Sequence, residues 1–330
     1  MANLYDGMNV GPENSLLPAG NLPQRMQTMQ VSARFHMLAR EQRSYELARA
    51  DARNHPRGVI YQVPAAYRAA AFGIEKPSTV VLAHGALALY GLRYRVEGKD
   101  TVLMDPSAER NSHGNISKPS IVRRGCKPEH VWQVRHYGHE LQVASPAAAT
   151  AQVLREIRRS SPSNGATFSG HSMDLVEAIT LSDCVRRHLG IDPMEILKAS
   201  SGTVCQRGLT RALAKSSKLA DSPKETEMRL LAQMVCDEFG LRLEEQVVVR
   251  DGGKIVTTFD LAIPELGIGI MYDGAHHGEA KQWHKDAEIN SDLTICGWRV
   301  LRFTSASLHK FVEKLVALIR KLQSLSLIHI

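Results

Sequence analysis

The chain has no apolar run approaching the ~20 residues a membrane helix needs, so no membrane-spanning segment is expected. Its start, MANLYDGMNVGPENSLLPAG, has neither a basic opening nor an apolar stretch, which argues against a secretory signal. Rich in Gly, Pro and Asn, residues 1–32 read instead as a disordered leader. Cysteine is sparse: Cys126, Cys184, Cys205, Cys236 and Cys296 lie far apart, with no C-x-x-C pair. An odd, scattered set suits reduced thiols in the cytoplasm rather than disulfides or a zinc site. No internal repeat at solenoid periods is visible. The hydrophobic and charged fractions, 43% and 23%, are ordinary for globular protein and give no reason to expect wholesale disorder. At 330 residues the chain can form two modest domains, each with its own core.

Charge is present but unevenly spread. From Asp221 onward, 13 Lys and Arg stand against 16 Asp and Glu, a net of −3. The remaining 28 basic and 18 acidic residues give positions 1–220 a net of +10. The basic half is the expected electrostatic contact for a polyanion, although a solvated basic surface fits the same count.

Local patterns then predict the order of elements. Residues 33–53 are rich in Arg, Glu and Ala without Pro or Gly, and read as a helix. Arg57-Gly58-Val59-Ile60-Tyr61-Gln62-Val63-Pro64 reads as a short strand, and Val80 to Tyr90 as a helix closed by Gly91. β-prone runs follow at 101–104, 120–124 and 131–137, and Ser145-Pro146 opens a helix to about Arg159. Residues 160–170 form a loop by composition, followed by helical patterns at 174–189, 193–199 and 206–215. The polar stretch 215–221 is the expected linker between a basic α+β region, 33–214, and a C-terminal domain, 222–323. In that domain Ser222-Pro223-Lys224-Glu225 starts a helix as a capping box, and the helix stops at Gly240. Strands are expected at 245–250, 255–263 and 267–272, a helix at about 279–293, a strand at 298–303 and a final helix from Ser305. That α-β-β-β-α-β-α order is an α/β fold, a central mixed sheet flanked by helices. The end, 324–330, resembles a translated sequencing adapter and is left out of the fold reading.

Carboxylates stand where a core-building strand would not want them. Asp260 lies within Thr257-Thr258-Phe259-Asp260-Leu261-Ala262-Ile263, and a buried lone carboxylate is costly unless paired, hydrogen-bonded or bound to a metal. Asp273 ends the next strand, with Gly274, His276 and His277 close behind. Two neighbouring strand-end carboxylates suit a hard dication, Mg²⁺ or Mn²⁺, which would in turn hold a phosphodiester oxygen. An imidazole nearby could move the proton of water or of the leaving oxygen.

Taken together, Ser222-Pro223-Lys224-Glu225, Gln246, Phe259 to Glu265, Tyr272 to His277, Asp286, Leu293 and Gly297 to Phe303 resemble the PD-(D/E)xK nuclease superfamily, in its very-short-patch-repair-like branch. The resemblance covers about a hundred residues, and several ordered motifs are more specific than any one of them. It implies a restriction-endonuclease-like domain for metal-dependent phosphodiester cleavage of DNA. Asp260 would be its metal-binding aspartate, Asp273 a second metal-side carboxylate, Glu225 the helix glutamate, and His276 or His277 the acid/base. Arg299, Arg302 and Lys285 are the candidate DNA contacts. The sequence departs from that branch at Met271, where close relatives usually carry Glu, and an Arg usual in the following helix is not evident. Plain structural roles also fit: a capping acid for Glu225, a hydrogen-bonded strand residue for Asp260, a turn for Asp273-Gly274 and a surface position for either histidine.

The N-terminal half is similar to the antitoxin-like segment that precedes such domains, through Arg57 to Pro64, resembling the wing of a winged helix, and Ala83 to Leu92. That resemblance implies a DNA-binding half. Two functions are therefore carried forward: a DNA endonuclease, or a DNA-binding regulator with a nuclease-derived domain that does not turn over. A toxin partner and a homodimer are both left open.

Overall fold

The computed structural model describes residues 7, 9–23, 26–160, 167–202, 205–273, 289 and 291–328. It is a mixed α/β structure in which helices flank several sheets. The chain divides into two compact units, Met1–Ser163 with Glu177–Ser216, and Asn164–Val176 with Ser217–Ile330. No helix among the described residues is long and apolar enough to cross a membrane.

In the first unit β1 (Leu17–Pro18), β2 (Thr28–Gln30) and β3 (Phe35–Leu38) form a three-stranded sheet in the order β1-β3-β2. Strands thus occur within the stretch read as a disordered leader. The predicted 33–53 helix is reduced to α1 (Tyr45–Ala52). The reason is burial with a period of two: Phe35 and Met37 enter the core while His36 and Leu38 are only partly covered.

Residues 57–64 form no strand, a second correction, and the wing expected there is not made. Arginine side chains take the carbonyls that a ladder would have used. Arg43 Nη1 donates to Tyr61 O at 3.2 Å, and Arg68 Nε donates to Val63 O at 3.1 Å. Arg68 itself belongs to α2 (Ala65–Glu75), a helix missing from the sequence reading. Eight of its eleven residues are buried, so it shows no polar stripe to betray its period.

β4 (Val80–Leu82) occupies the start of the predicted 80–90 helix, and α3 (Ala83–Leu89) the rest. Ala83 separates them at φ 49, a left-handed value uncommon for a residue with a Cβ. With β5 (Val102–Met104), β6 (Ser120–Val122), β7 (Val131–His136) and β8 (His139–Ala144), β4 builds a mixed five-stranded sheet in the order β6-β5-β4-β8-β7. α4 (Pro146–Ser160) follows, its first turn capped by Ser145 Oγ accepting from Ala148 N at 3.3 Å. The hairpin of β9 (Thr167–Phe168) and β10 (His171–Ser172) belongs to the second unit; α5 (Met173–Leu189) begins there and continues into the first unit from Glu177, which α6 (Pro193–Ala199) and α7 (Gln206–Ala214) complete.

The main segment of the second unit, from Ser217 onward, opens on α8 (Pro223–Phe239), started by the Ser222 cap and ended by Gly240 at φ 64. A four-stranded sheet follows in chain order: β11 (Glu244–Asp251), β12 (Lys254–Ile263), β13 (Ile268–Tyr272) and β14 (Arg299–Phe303). The first three are antiparallel and the last pair is parallel, so the sheet is mixed. The final helix, α9 (Phe311–Ile328), begins six residues later than Ser305, after a short 3₁₀ turn.

Two apolar layers cover this sheet. Met228, Val235 and Cys236 of α8 meet Leu261, Ile263, Ile270 and Phe303 of the strands and Phe311, Leu315 and Ile319 of α9. A separate layer gathers Val249, Phe259, Ala262 and Leu293, with Met271 and Trp298 packed against it.

Candidate metal centre at the strand split

β12 and β13 pair only from Leu261 to Ile263, opposite Ile270 to Ile268. Beyond Leu261 the ladder stops, and Asp260 fills the gap with its side chain: Oδ2 accepts the Tyr272 backbone N–H at 2.6 Å. On its other side β12 stays paired with β11, but at Gln246, level with Asp260, the backbone adopts φ 53. A left-handed Gln inside a strand is an uncommon distortion that its surroundings must hold in place. The Gln246 side chain hydrogen-bonds the Asp260 carboxylate.

Burial pushes the Asp260 carboxyl above the usual aspartate range, and the charges of Asp221 and Asp273 push it further. The bonds from Tyr272 N–H and Gln246 pull the other way without cancelling the rise. Glu225 shows the same pattern, raised first by burial and then by Asp260 and Asp221. These acids therefore feel one another across a poorly solvated space.

Glu225 also serves the helix end. Ser222 Oγ accepts from Glu225 N at 3.3 Å and donates to Glu225 Oε1 at 2.9 Å, while Oε2 accepts from Asp221 N at 2.8 Å. Its capping role is thus made, and the same carboxyl group lines a small cavity beside Asp260. Glu225, Arg229, Glu245, Gln246 and Asp260 surround a space of about 10 Å³, close to the smallest that holds one water. Arg229 Nε lies 3.6 Å from Glu245 Oε2.

The chain matches no protein family, no curated protein and no solved structure with which it was compared. The site therefore stands on its own geometry. The fold brings Glu225, Gln246 and Asp260 around one cavity, with Asp273 near enough to act on Asp260. Asp273 is partly exposed, and its Oδ1 receives Arg302 Nη1 at 3.5 Å. Arg302 is level with Met271 in the parallel ladder, whereas exposed Arg299 is level with Ile268, three positions and about 10 Å along the sheet. Arg302 thus reaches the acidic end and Arg299 does not. His276, His277 and Lys285 lie outside the described residues.

Asp221 is the member that sequence reasoning missed. It sits in the polar stretch read as a linker, and only its place beside the capping box hinted at a role. Met271 packs against the apolar layer of Val249, Phe259 and Leu293.

The oxygens of Glu225, Asp260 and Asp273 have the hardness that Mg²⁺ or Mn²⁺ prefers, and their mutual repulsion is what a dication relieves. Among the described residues no group of three or more His, Cys, Asp or Glu stands close enough to hold a metal.

Proposed function

We propose that the C-terminal unit is a restriction-endonuclease-like domain of the very-short-patch-repair-like type, hydrolysing phosphodiester bonds in DNA with Mg²⁺ or Mn²⁺. The observation that carries this reading is Asp260, a partly buried carboxylate raised first by burial and then by its acidic neighbours, at the point where two strands part. A bound dication would polarise the phosphoryl oxygens and lower the pKa of a water. The chain's own residues have narrower tasks. Tyr272 N–H and Gln246 fix the orientation of Asp260, Glu225 and Asp273 supply negative potential beside it, and Arg302 holds Asp273. His276 or His277 would move the proton. Relaxation of supercoiled plasmid tests the reading: Mg²⁺- or Mn²⁺-dependent nicking, lost in Asp260→Asn, is expected. Intact plasmid with the wild-type chain in both metals, across sequence contexts, would count against it.

Met271 favours a second reading, in which a nuclease-derived domain without turnover is joined to an antitoxin-like DNA-binding half. Its apolar packing gives the sheet a use for Met there, and a thioether sulfur is too soft to ligate Mg²⁺ usefully. Retention of DNA without cleavage, weakening steeply between low and moderate salt, is then expected, with Asp260→Ala leaving it unchanged. Met271→Glu separates the two readings: cleavage gained by that variant marks a decayed nuclease.

A further inference from the structure

The first unit contains a cleft of about 740 Å³, within the size range of small-molecule sites and far larger than one ion requires. Two segments make it. One is the loop after β6, carrying Arg123, Arg124 and Lys127, and the other is the face of α4 that presents Ala148, Ala151, Gln152 and Arg155. Those α4 positions are three, four and seven residues apart, which is one side of a helix.

Gln152 ties the two segments together. Its Nε2 donates to Gly125 O at 2.9 Å, and its Oε1 accepts from Ala83 N at 2.8 Å. A Cβ at Gly125 would come within 2.5 Å of Leu82 Cδ1, so a larger residue there must push that methyl group aside. The basic loop is thereby held beside Arg155 rather than left to drift in solvent.

The charges in the cleft are of one sign. No acidic residue lines it, and among the described residues Arg123, Arg124 and Arg155 make no ion pair. Lys127 alone is drawn aside, 4.0 Å from Glu129. Arg155 is partly buried, and burial followed by the charge of Arg159 disfavours its cationic form, an imbalance that an anion would correct. Met104, Pro106 and Ala199 add an apolar wall to the two alanines of α4. Cys126 also faces the cleft, but burial and Glu129 push its thiol up to about 11, so it offers no thiolate for covalent chemistry.

We propose that this cleft binds a nucleoside phosphate, with the phosphate on Arg123, Arg124 and Arg155 and the base against the small apolar side chains. Forked guanidinium groups match phosphate oxygens, and a wall of Ala, Pro and Met leaves a flat surface for a ring. The same chemistry is offered by a free nucleotide and by one nucleotide of a single strand. This site belongs to the first unit and stands whether or not the second unit cleaves DNA.

Calorimetric titration of the full chain with AMP, adenosine and a 12-nucleotide single strand tests it, with Arg155→Gln, Arg124→Gln and the distant exposed Arg49→Gln as variants. Binding of AMP or of the strand is expected, at least about tenfold tighter than adenosine and weakened about tenfold by Arg155→Gln and by Arg124→Gln, but not by Arg49→Gln. AMP bound more tightly per site than the strand identifies the free nucleotide as the ligand, and the reverse identifies the strand. Arg124 is exposed, so its variant is informative even if Arg155→Gln fails to fold. The proposal is overturned if neither AMP nor the strand binds, if adenosine binds as well as AMP, or if Arg124→Gln binds like Arg49→Gln.

Discussion

Asp260 accepts a backbone hydrogen bond and also sits among like charges, and these two facts pull its variants in opposite directions. Asparagine keeps an acceptor for Tyr272 N–H and removes the charge, whereas alanine leaves that amide without its partner. In metal-free buffer Asp260→Asn is therefore expected to be more stable than wild type, and Asp260→Ala less stable by about 1–3 kcal/mol. Urea denaturation checks both, and equal losses in the two variants would contradict the argument. The pH dependence follows from the same group. Its carboxyl is raised in the folded state by burial, Asp221 and Asp273, so the folded chain keeps the proton to higher pH than the unfolded chain. This stabilising contribution is complete below the unfolded value of about 3.9 and is lost as pH rises through the folded value. The advantage of Asp260→Asn over wild type should therefore grow on going from about pH 4 to pH 7. A difference independent of pH would show that the carboxylate is not repelled. Arg68 makes a different case: it is fully buried, and its guanidinium donates to Val63 O, Glu97 O and Lys99 O while lying over the Tyr61 ring at 3.9 Å. Arg68→Met strands three carbonyls, and a loss of at least about 2 kcal/mol is expected in the same assay.

Elements were legible where local signals and burial agreed. α8 could be read from Ser222-Pro223 at its start and Gly240 at its end because those residues do the capping themselves. The four strands of the second unit were legible for the same reason, their apolar runs being bounded by turns. Other elements are set by partners distant in sequence. α2 is buried almost all round, so periodicity could not reveal it, and 57–64 is held by Arg43 and Arg68 instead of by a neighbouring strand. The candidate site was half legible: Asp260 and Glu225 stood out by type and position, but the strand split that joins them, and Asp221 beside them, exist only once the sheet is formed. The close approach of β12 and β13 is similarly tertiary. A Cβ at Gly269 would lie 2.3 Å from the Phe259 ring, so Gly269→Ala must displace that ring from its layer. A loss of about 1–3 kcal/mol is expected by thermal or urea unfolding, and an unchanged midpoint would contradict this packing.

At the scale of the whole molecule, charge and candidate chemistry lie in different halves. Positions 1–220 carry a net +10 and the remainder −3, so the half with the acidic site is the less suited to attract a polyanion. A nuclease arranged in this way would rely on its basic half for affinity and on a dication to offset its acidic end. Asp260, held by Tyr272 N–H among like charges, is the place where such a dication would bind. Calorimetric titration of the metal-free full chain with Mn²⁺ tests it most directly, beside Asp260→Asn under the same conditions. Saturable binding by the wild-type chain is expected, weaker at pH 5 than at pH 7.5 because protons compete for raised carboxyls, and absent in Asp260→Asn. Equal Mn²⁺ binding by both proteins, or none by either, would contradict it.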